Sequence, residues 1–279
     1  MKRAWANPFM RVGAFLSLGY VGFVLMLLAI ENFLVFRPID AREHWVEPPT
    51  ARKIDDIELT SSDGTRLHAW WCGNDESDLA VLYCHGNAGN LSHRGGSIVK
   101  LGIRLNVSVL IIDYPGYGKS EGQPTETGCY LAADAGYDWL IKEKKYPPTK
   151  VMLYGASLGG GVMTQVASRR DHRALILVKT FTSAPDVASE HYWWLPVPKR
   201  ILMTNQFDSL SRIDKCKRPV FIAHGTADRL IPHSQGERLF AAANEPKHFC
   251  SLPGCDHNDA LPDSFFDSLR EFLRANPVE

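Results

Sequence analysis

The sequence predicts an α/β fold in which a mostly parallel sheet is covered on both faces by helices. Three observations carry this. Short apolar runs recur along most of the chain, as in strands buried on both sides. Helix-sized segments of amphipathic or glycine-broken sequence separate them, the spacing of parallel crossovers. Several runs end in glycine-containing loops, which at the carboxyl edge of such a sheet form a site.

The chain has 279 residues, enough for one well-buried domain and an appendage. Hydrophobic residues at 45% and charged residues at 22% exclude a disordered polypeptide. Basic and acidic residues balance at 31 each, which argues against a nucleic-acid partner.

Residues 1–11 read as a tail and 12–30 as a transmembrane anchor. From Val12 to Ile30 no residue is charged, and a helix of that length rises roughly 28 Å, close to the hydrocarbon thickness of a bilayer. A cleaved secretory signal is the competing reading, but the run is long and no small-residue cleavage site follows it. A buried soluble helix is a third reading, and the lack of a polar face opposes it. Lys2, Arg3 and Arg11 before the span favour a cytoplasmic N-terminus and an exported domain. Residues 31–50, with Pro38, Pro48 and Pro49, read as a tether, and 51–279 as the folded domain.

Within that domain, Lys53–Thr60 and Leu67–Cys72 predict an antiparallel hairpin turned by Ser62-Asp63-Gly64. A buried strand Leu79–Cys84 leads into a glycine-rich loop from Gly86 and a helix to about Leu101. Strand Val107–Ile112 leads into the loop 113–120, and Thr125–Lys144 has helical periodicity. Strand Ala174–Lys179 precedes a segment, about 183–213, without strand signal that carries His191-Tyr192-Trp193-Trp194-Leu195-Pro196. Its aromatic residues suit an acyl pocket, a membrane contact or a cover for the core. Then come strand Pro219–His224, a helix around Gln235–Ala243, strand Lys247–Leu252 and helix Ser264–Ala275.

The most informative stretch is Val151-Met152-Leu153-Tyr154-Gly155-Ala156-Ser157-Leu158-Gly159. A buried strand, a G-x-S-x-G turn and a resumed helical pattern make the context of a nucleophile elbow. Gly155 and Gly159 are required because the turn is too tight for a Cβ. Ser157 then needs a base, and the base an orienting carboxylate. Asp228 and His257 follow in that chain order, each just beyond a strand. Asp228 also suits a simple cap of the next turn, Asp256 is a weaker orienting group, and His257 has a surface reading. His85 and His224, at strand ends before glycines, suit hydrogen bonds that hold their loops. Two backbone donors for an oxyanion are expected from Leu158 and from Asn87, with Ala88 as the alternative to Asn87.

Gly118-Lys119-Ser120 is not a phosphate loop, because Asp113 stands where its first glycine should be. Asn90-Leu91-Ser92 and Asn106-Val107-Ser108 match the glycosylation pattern. The six cysteines make no dense framework. Cys250 and Cys255 flank Pro253-Gly254 and read either as a disulfide bracing the His257 loop or as free thiols.

From Lys53 onward the chain resembles the α/β-hydrolase superfamily, and within it small membrane-anchored serine hydrolases. His85-Gly86-Asn87-Ala88-Gly89-Asn90, Tyr114-Pro115-Gly116-Tyr117-Gly118-Lys119-Ser120 and Gly155–Gly159 carry the resemblance. Phe181-Thr182-Ser183 and Phe207-Asp208-Ser209 are similar to that group's short lid. The resemblance implies an α/β-hydrolase fold and Ser157, Asp228 and His257 as the triad. The leading reading of the residues is hydrolysis of an ester or thioester through an acyl-enzyme, with no metal or organic cofactor required. Expected partners are an acyl substrate, small, lipid-like or carried on a protein, and the membrane. A serine peptidase and a non-catalytic tethered binding module are the alternatives. Lys179, a charge at the end of a core strand beside the cleft, departs from an apolar pocket.

Overall fold

A computed structural model describes residues 8–278; Lys2 and Arg3 of the expected tail lie outside the described residues. The first helix, α1, is Pro8–Ala29, so it begins before the expected span and includes Arg11. Among the described residues it is the one helix long and apolar enough to cross a membrane. A short helix α2 (Glu31–Val35) follows, then a two-residue strand β1 (Arg37–Pro38).

The central sheet is built from β2 (Asp55–Thr60), β3 (Arg66–Cys72), β4 (Ala80–Cys84), β6 (Ser108–Ile112), β7 (Val151–Ala156), β8 (Ala174–Val178), β9 (Val220–Gly225) and β10 (Lys247–Leu252), with β5 (Ala88–Gly89) outside it. Its strand order is β10-β9-β8-β7-β4-β6-β3-β2. β2 and β3 form the expected antiparallel hairpin, β3 is antiparallel to β6, and the rest pair in parallel. Register explains why the loops converge. Cys84 pairs with both Ile112 and Gly155, Ala156 with Val178, and Val178 with Ala223. The carboxyl ends of five neighbouring strands are therefore level, and the loops leaving them share one edge.

β4, β6 and β8 are buried throughout because helices cover both faces. Side chains alternate across the sheet. Leu82, Leu110, Leu153 and Leu177 face α4 (Glu126–Lys142), α5 (Leu158–Ala167) and α8 (His233–Ala242). Val81, Ile111, Met152 and Phe221 face α3 (Gly95–Leu105) and α9 (Asp263–Ala275). On α9, Phe265, Phe266, Leu269 and Phe272 fall on one buried stripe, and Phe221 meets Phe265 edge-on at 5.8 Å. Helix α4 starts where the Thr125 hydroxyl accepts the Gly128 N–H at 2.9 Å.

One expectation needs correction. Residues 31–50 are not a free tether. β1 pairs with β5 in parallel, the Ile39 N–H donates to Gly89 O at 3.1 Å, and Asp40 bridges to Gly118. Phe36 is buried edge-on against Phe207, with ring centroids 6.0 Å apart. The prolines forbid a long strand, but a short pairing and one buried ring suffice to dock the segment. Of the two readings of Cys250 and Cys255, the free-thiol one holds: both are free. Asn90, of the glycosylation pattern, is fully buried and donates to Ile39 O and His44 O, so no glycan can reach it.

The segment expected as a lid, about 183–213, holds α6 (Ala184–His191) and α7 (Lys199–Leu202). Asp186 on α6 is gripped by Arg200 of α7 at 2.9 Å and by Arg238 of α8 at 3.1 Å. Tyr192, Trp193 and Trp194 are 47%, 80% and 58% exposed, so they do not cover the core.

Candidate active site

β7 ends in a turn tighter than an ordinary strand–helix connection. Ser157 has φ 51° and ψ −120°, a conformation that costs a non-glycine residue energy and persists only where the surroundings enforce it. The clamps are identifiable. The Ser157 N–H donates to Val178 O at 3.0 Å, and Ser157 O accepts from the Gly160 N–H at 2.9 Å and the Thr180 hydroxyl at 2.7 Å. A Cβ on Gly155 would lie 2.3 Å from Gly159 O, and one on Gly159 1.9 Å from Cys84 O. Both glycines are steric requirements, as the motif predicts.

Ser157 Oγ lies 3.1 Å from His257 Nε2, and His257 Nδ1 lies 2.8 Å from Asp228 Oδ2. The carboxylate can only accept, so Nδ1 carries the proton and donates it there. Nε2 then offers its lone pair to the serine hydroxyl. Asp228 makes two sets of contacts: Oδ2 meets the imidazole, while Oδ1 accepts the N–H groups of Leu230 at 3.0 Å and Ile231 at 2.8 Å. Burial by itself would raise the Asp228 carboxyl. Hydrogen bonds from His224, His257 and the Ile231 N–H outweigh it and hold the group far below the usual carboxylate range. Asp256 is engaged elsewhere. The N–H groups of Arg229 and His257 and the Arg229 guanidinium bind it and lower its carboxyl to about 2.

Leu158 and Asn87, the expected oxyanion donors, both line the cleft that reaches Ser157. Leu158 N–H opens α5, where a helix supplies no acceptor, and among the described residues Asn87 N–H meets none either. Their strand-to-helix loop is held closely. Asn87 O accepts the Tyr117 hydroxyl at 2.7 Å and the Arg37 N–H at 3.1 Å, and its side-chain amide donates to Val35 O. His85 reaches Gly86 O at 2.7 Å and the fully buried Asp113 at 3.2 Å, while His224 reaches Ile231 O at 2.8 Å. Both histidines hold their loops, as the sequence suggests. A Cβ on Gly86 would press on Ser157 at 3.3 Å, so the small residue lets the loop approach the nucleophile.

Four contributors were not legible. Lys179 is noticeable as a charge at a strand end, yet its use is not: buried at φ 48°, it donates to the carbonyls of Asp256, His257 and Asp259 at 2.7, 3.2 and 2.8 Å. Burial lowers its ammonium below the usual lysine value, and nearby carboxylates counter this only in part. Asp113 has no local signal beyond ending a strand. Val35 and Arg37 belong to the segment expected to be a tether.

A cleft of about 1120 Å³ opens above Ser157 and His257, with Leu158, Tyr192 and Trp194 among its lining. That exceeds the roughly 300–1,000 Å³ usual for small-molecule sites. Among the described residues no group of three or more His, Cys, Asp or Glu side chains is placed to hold a metal ion.

A family model of the alpha/beta hydrolase fold matches residues 80–198. The uncharacterised protein Rv2307c of Mycobacterium tuberculosis is 34% identical over 287 residues, covering 100% of this chain and 98% of that one. Protein bem46 of Schizosaccharomyces pombe is 34% identical over 230 residues, covering 80% of this chain and 77% of its own. Among solved structures, the Pyrococcus furiosus esterase Pf2001 superposes with a TM-score of 0.70 at 19% identity, over 88% of this chain and 99% of that one. The level strand ends, the strained Ser157 turn and these relatives lead to one assignment: the chain belongs to the α/β-hydrolase family.

Proposed function

We propose that this protein is a membrane-anchored serine hydrolase that cleaves an ester or thioester through an acyl-enzyme. The observation that carries the reading is the continuous chain from Ser157 Oγ through His257 to Asp228, at 3.1 and 2.8 Å. Ser157 Oγ attacks the carbonyl carbon as His257 Nε2 takes its proton. The Asp228 carboxylate offsets the imidazolium that forms. Leu158 and Asn87 N–H groups receive the oxyanion. Collapse breaks the bond to the alcohol or thiol, which leaves with the proton from His257. Water, deprotonated by the same imidazole, then attacks the acyl-enzyme and releases the acid with Ser157 restored. The tryptophan- and leucine-bearing lid beside this machinery favours an apolar acyl group over a peptide chain.

Retention of α1 as an anchor is supported by its attachment to the lid. The Tyr20 hydroxyl donates to Pro196 O at 2.8 Å, and the buried Glu31 carboxylate just beyond the helix accepts the N–H groups of Thr204 and Asn205 at 3.0 and 2.7 Å. Cleavage after α1 would remove the first of these contacts and leave a new terminus beside the second. The positive residues before the span support an exported domain, and protection of the domain from protease added to intact cells would count against that orientation. A fluorophosphonate probe should label the full-length protein and fail on Ser157→Ala. A folded wild type that resists the probe removes the serine mechanism.

A further inference from the structure

The cleft above Ser157 does not end within the globular domain. The same cavity that touches Ser157 and His257 continues to Phe23, Val24, Leu27 and Leu28 of α1. Those positions recur at helical spacing and form the stripe that α1 turns toward the protein; Val24, Leu27 and Leu28 are half-buried, whereas Leu18 and Leu25, across the helix, are 68% and 60% exposed. The helix is fixed in this position from both sides of the stripe, by Tyr20 on Pro196 and by Glu31 on Thr204 and Asn205. Trp193 and Trp194 stand exposed beside Pro196, where amphipathic rings suit the interface of a bilayer crossed by α1.

We propose that α1 is the far wall of the substrate cleft, so that the site takes a long acyl chain, ester- or thioester-linked, that enters sideways from the bilayer. This rests on the serine-hydrolase reading of Ser157. Leucine, valine and phenylalanine at membrane depth offer an incoming chain no polar partner and lose nothing to water when it lies against them. A chain reaching these residues keeps the apolar environment it had in the lipid while its carbonyl meets Ser157. Short acyl groups touch only the domain half of the cleft. Selection for chain length is therefore assigned to α1, and selection for the carbonyl to the loops.

The test uses the full-length protein in phosphatidylcholine vesicles with 4-nitrophenyl esters carrying four and sixteen carbons. Leu27→Trp and Val24→Trp, which fill the cleft at α1, should lower the ratio of kcat/KM for the long ester over the short one by about tenfold or more, since each excluded methylene forfeits about a factor of four. Leu18→Trp, on the opposite face, should leave the ratio as in the wild type. An unchanged ratio in both cleft variants overturns the proposal while leaving the hydrolase reading standing. A wild type inert to both esters and to fluorophosphonate overturns both. A second measurement needs no variant: a sixteen-carbon fluorophosphonate with a terminal diazirine bonds to Ser157 and, on irradiation, should cross-link to the peptide holding residues 23–28. Cross-links confined to the globular domain overturn the proposal. Monoacylglycerol and an S-palmitoyl peptide in the same vesicles identify which carrier presents the chain, and turnover of neither overturns it.

Discussion

Lys179 supports His257 from beneath: its buried ammonium donates to the carbonyl oxygens of His257, Asp256 and Asp259 and thereby fixes the loop on which the imidazole stands. The unusual charge at the end of β8 is thus turned toward backbone. Lys179→Met should lower kcat by about a hundredfold with little change in KM, because a displacement of about 1 Å at a catalytic base costs that much. Fluorophosphonate labelling should slow in parallel, since both need Ser157 deprotonated. A variant that loses thermal stability but keeps its labelling rate would reduce Lys179 to a packing role.

Asp228→Asn tests the orientation of the same imidazole. An amide can donate to Nδ1 and so favours the tautomer whose proton sits on Nε2, where a lone pair is needed. We expect kcat to fall by about 10⁴ with the fold intact, measured as single-turnover acylation. A loss below tenfold would pass the orienting role to another carboxylate.

Glu31 joins the segment just beyond α1 to the segment that follows α7. Its carboxylate accepts from the backbone of Thr204 and Asn205 and from the Asn205 amide at 2.8 Å. Charge-assisted hydrogen bonds contribute about 1.5–3 kcal/mol each. Glu31→Ala should therefore speed amide hydrogen exchange at Thr204 and Asn205 by tenfold or more, with exchange in β7 unaltered. Equal acceleration throughout would indicate a general loss of stability.

His172 makes the domain sensitive to acid. Its Nδ1 donates to Arg170 O at 2.9 Å, its Nε2 meets no partner among the described residues, and burial lowers its pKa to about 4. The unfolded chain, near 6.5, takes up the proton first as pH falls. Stability from the neutral ring is thus fully present above about pH 6.5 and is lost progressively down to about pH 4. Between pH 7 and pH 5 the loss is about 2 kcal/mol. His172→Leu should lower stability at neutral pH yet shrink the fall in melting temperature between those pH values, followed by circular dichroism in detergent. An identical fall in both proteins would place the acid-sensitive group elsewhere.

What the sequence determined by itself was local. Apolar runs and helical periodicity located the elements to within a few residues, because burial on two faces or one dictates residue type at each position. Gly155 and Gly159 announced the strained turn at Ser157, since hard-sphere contacts within a few residues leave no alternative. The order Ser157, Asp228, His257 and their positions after strands were equally legible. Tertiary structure decided the rest. Pairing set β4 between β6 and β7, brought Asp228 rather than Asp256 to the imidazole, and left Cys250 and Cys255 unbonded. It drew the proline-bearing segment after α2 onto the domain through Phe36 and β1, and turned α1 from an attached helix into a cleft wall. Such relations join residues far apart in the chain, and their free energy arises from surfaces meeting in space, so no short pattern encodes them.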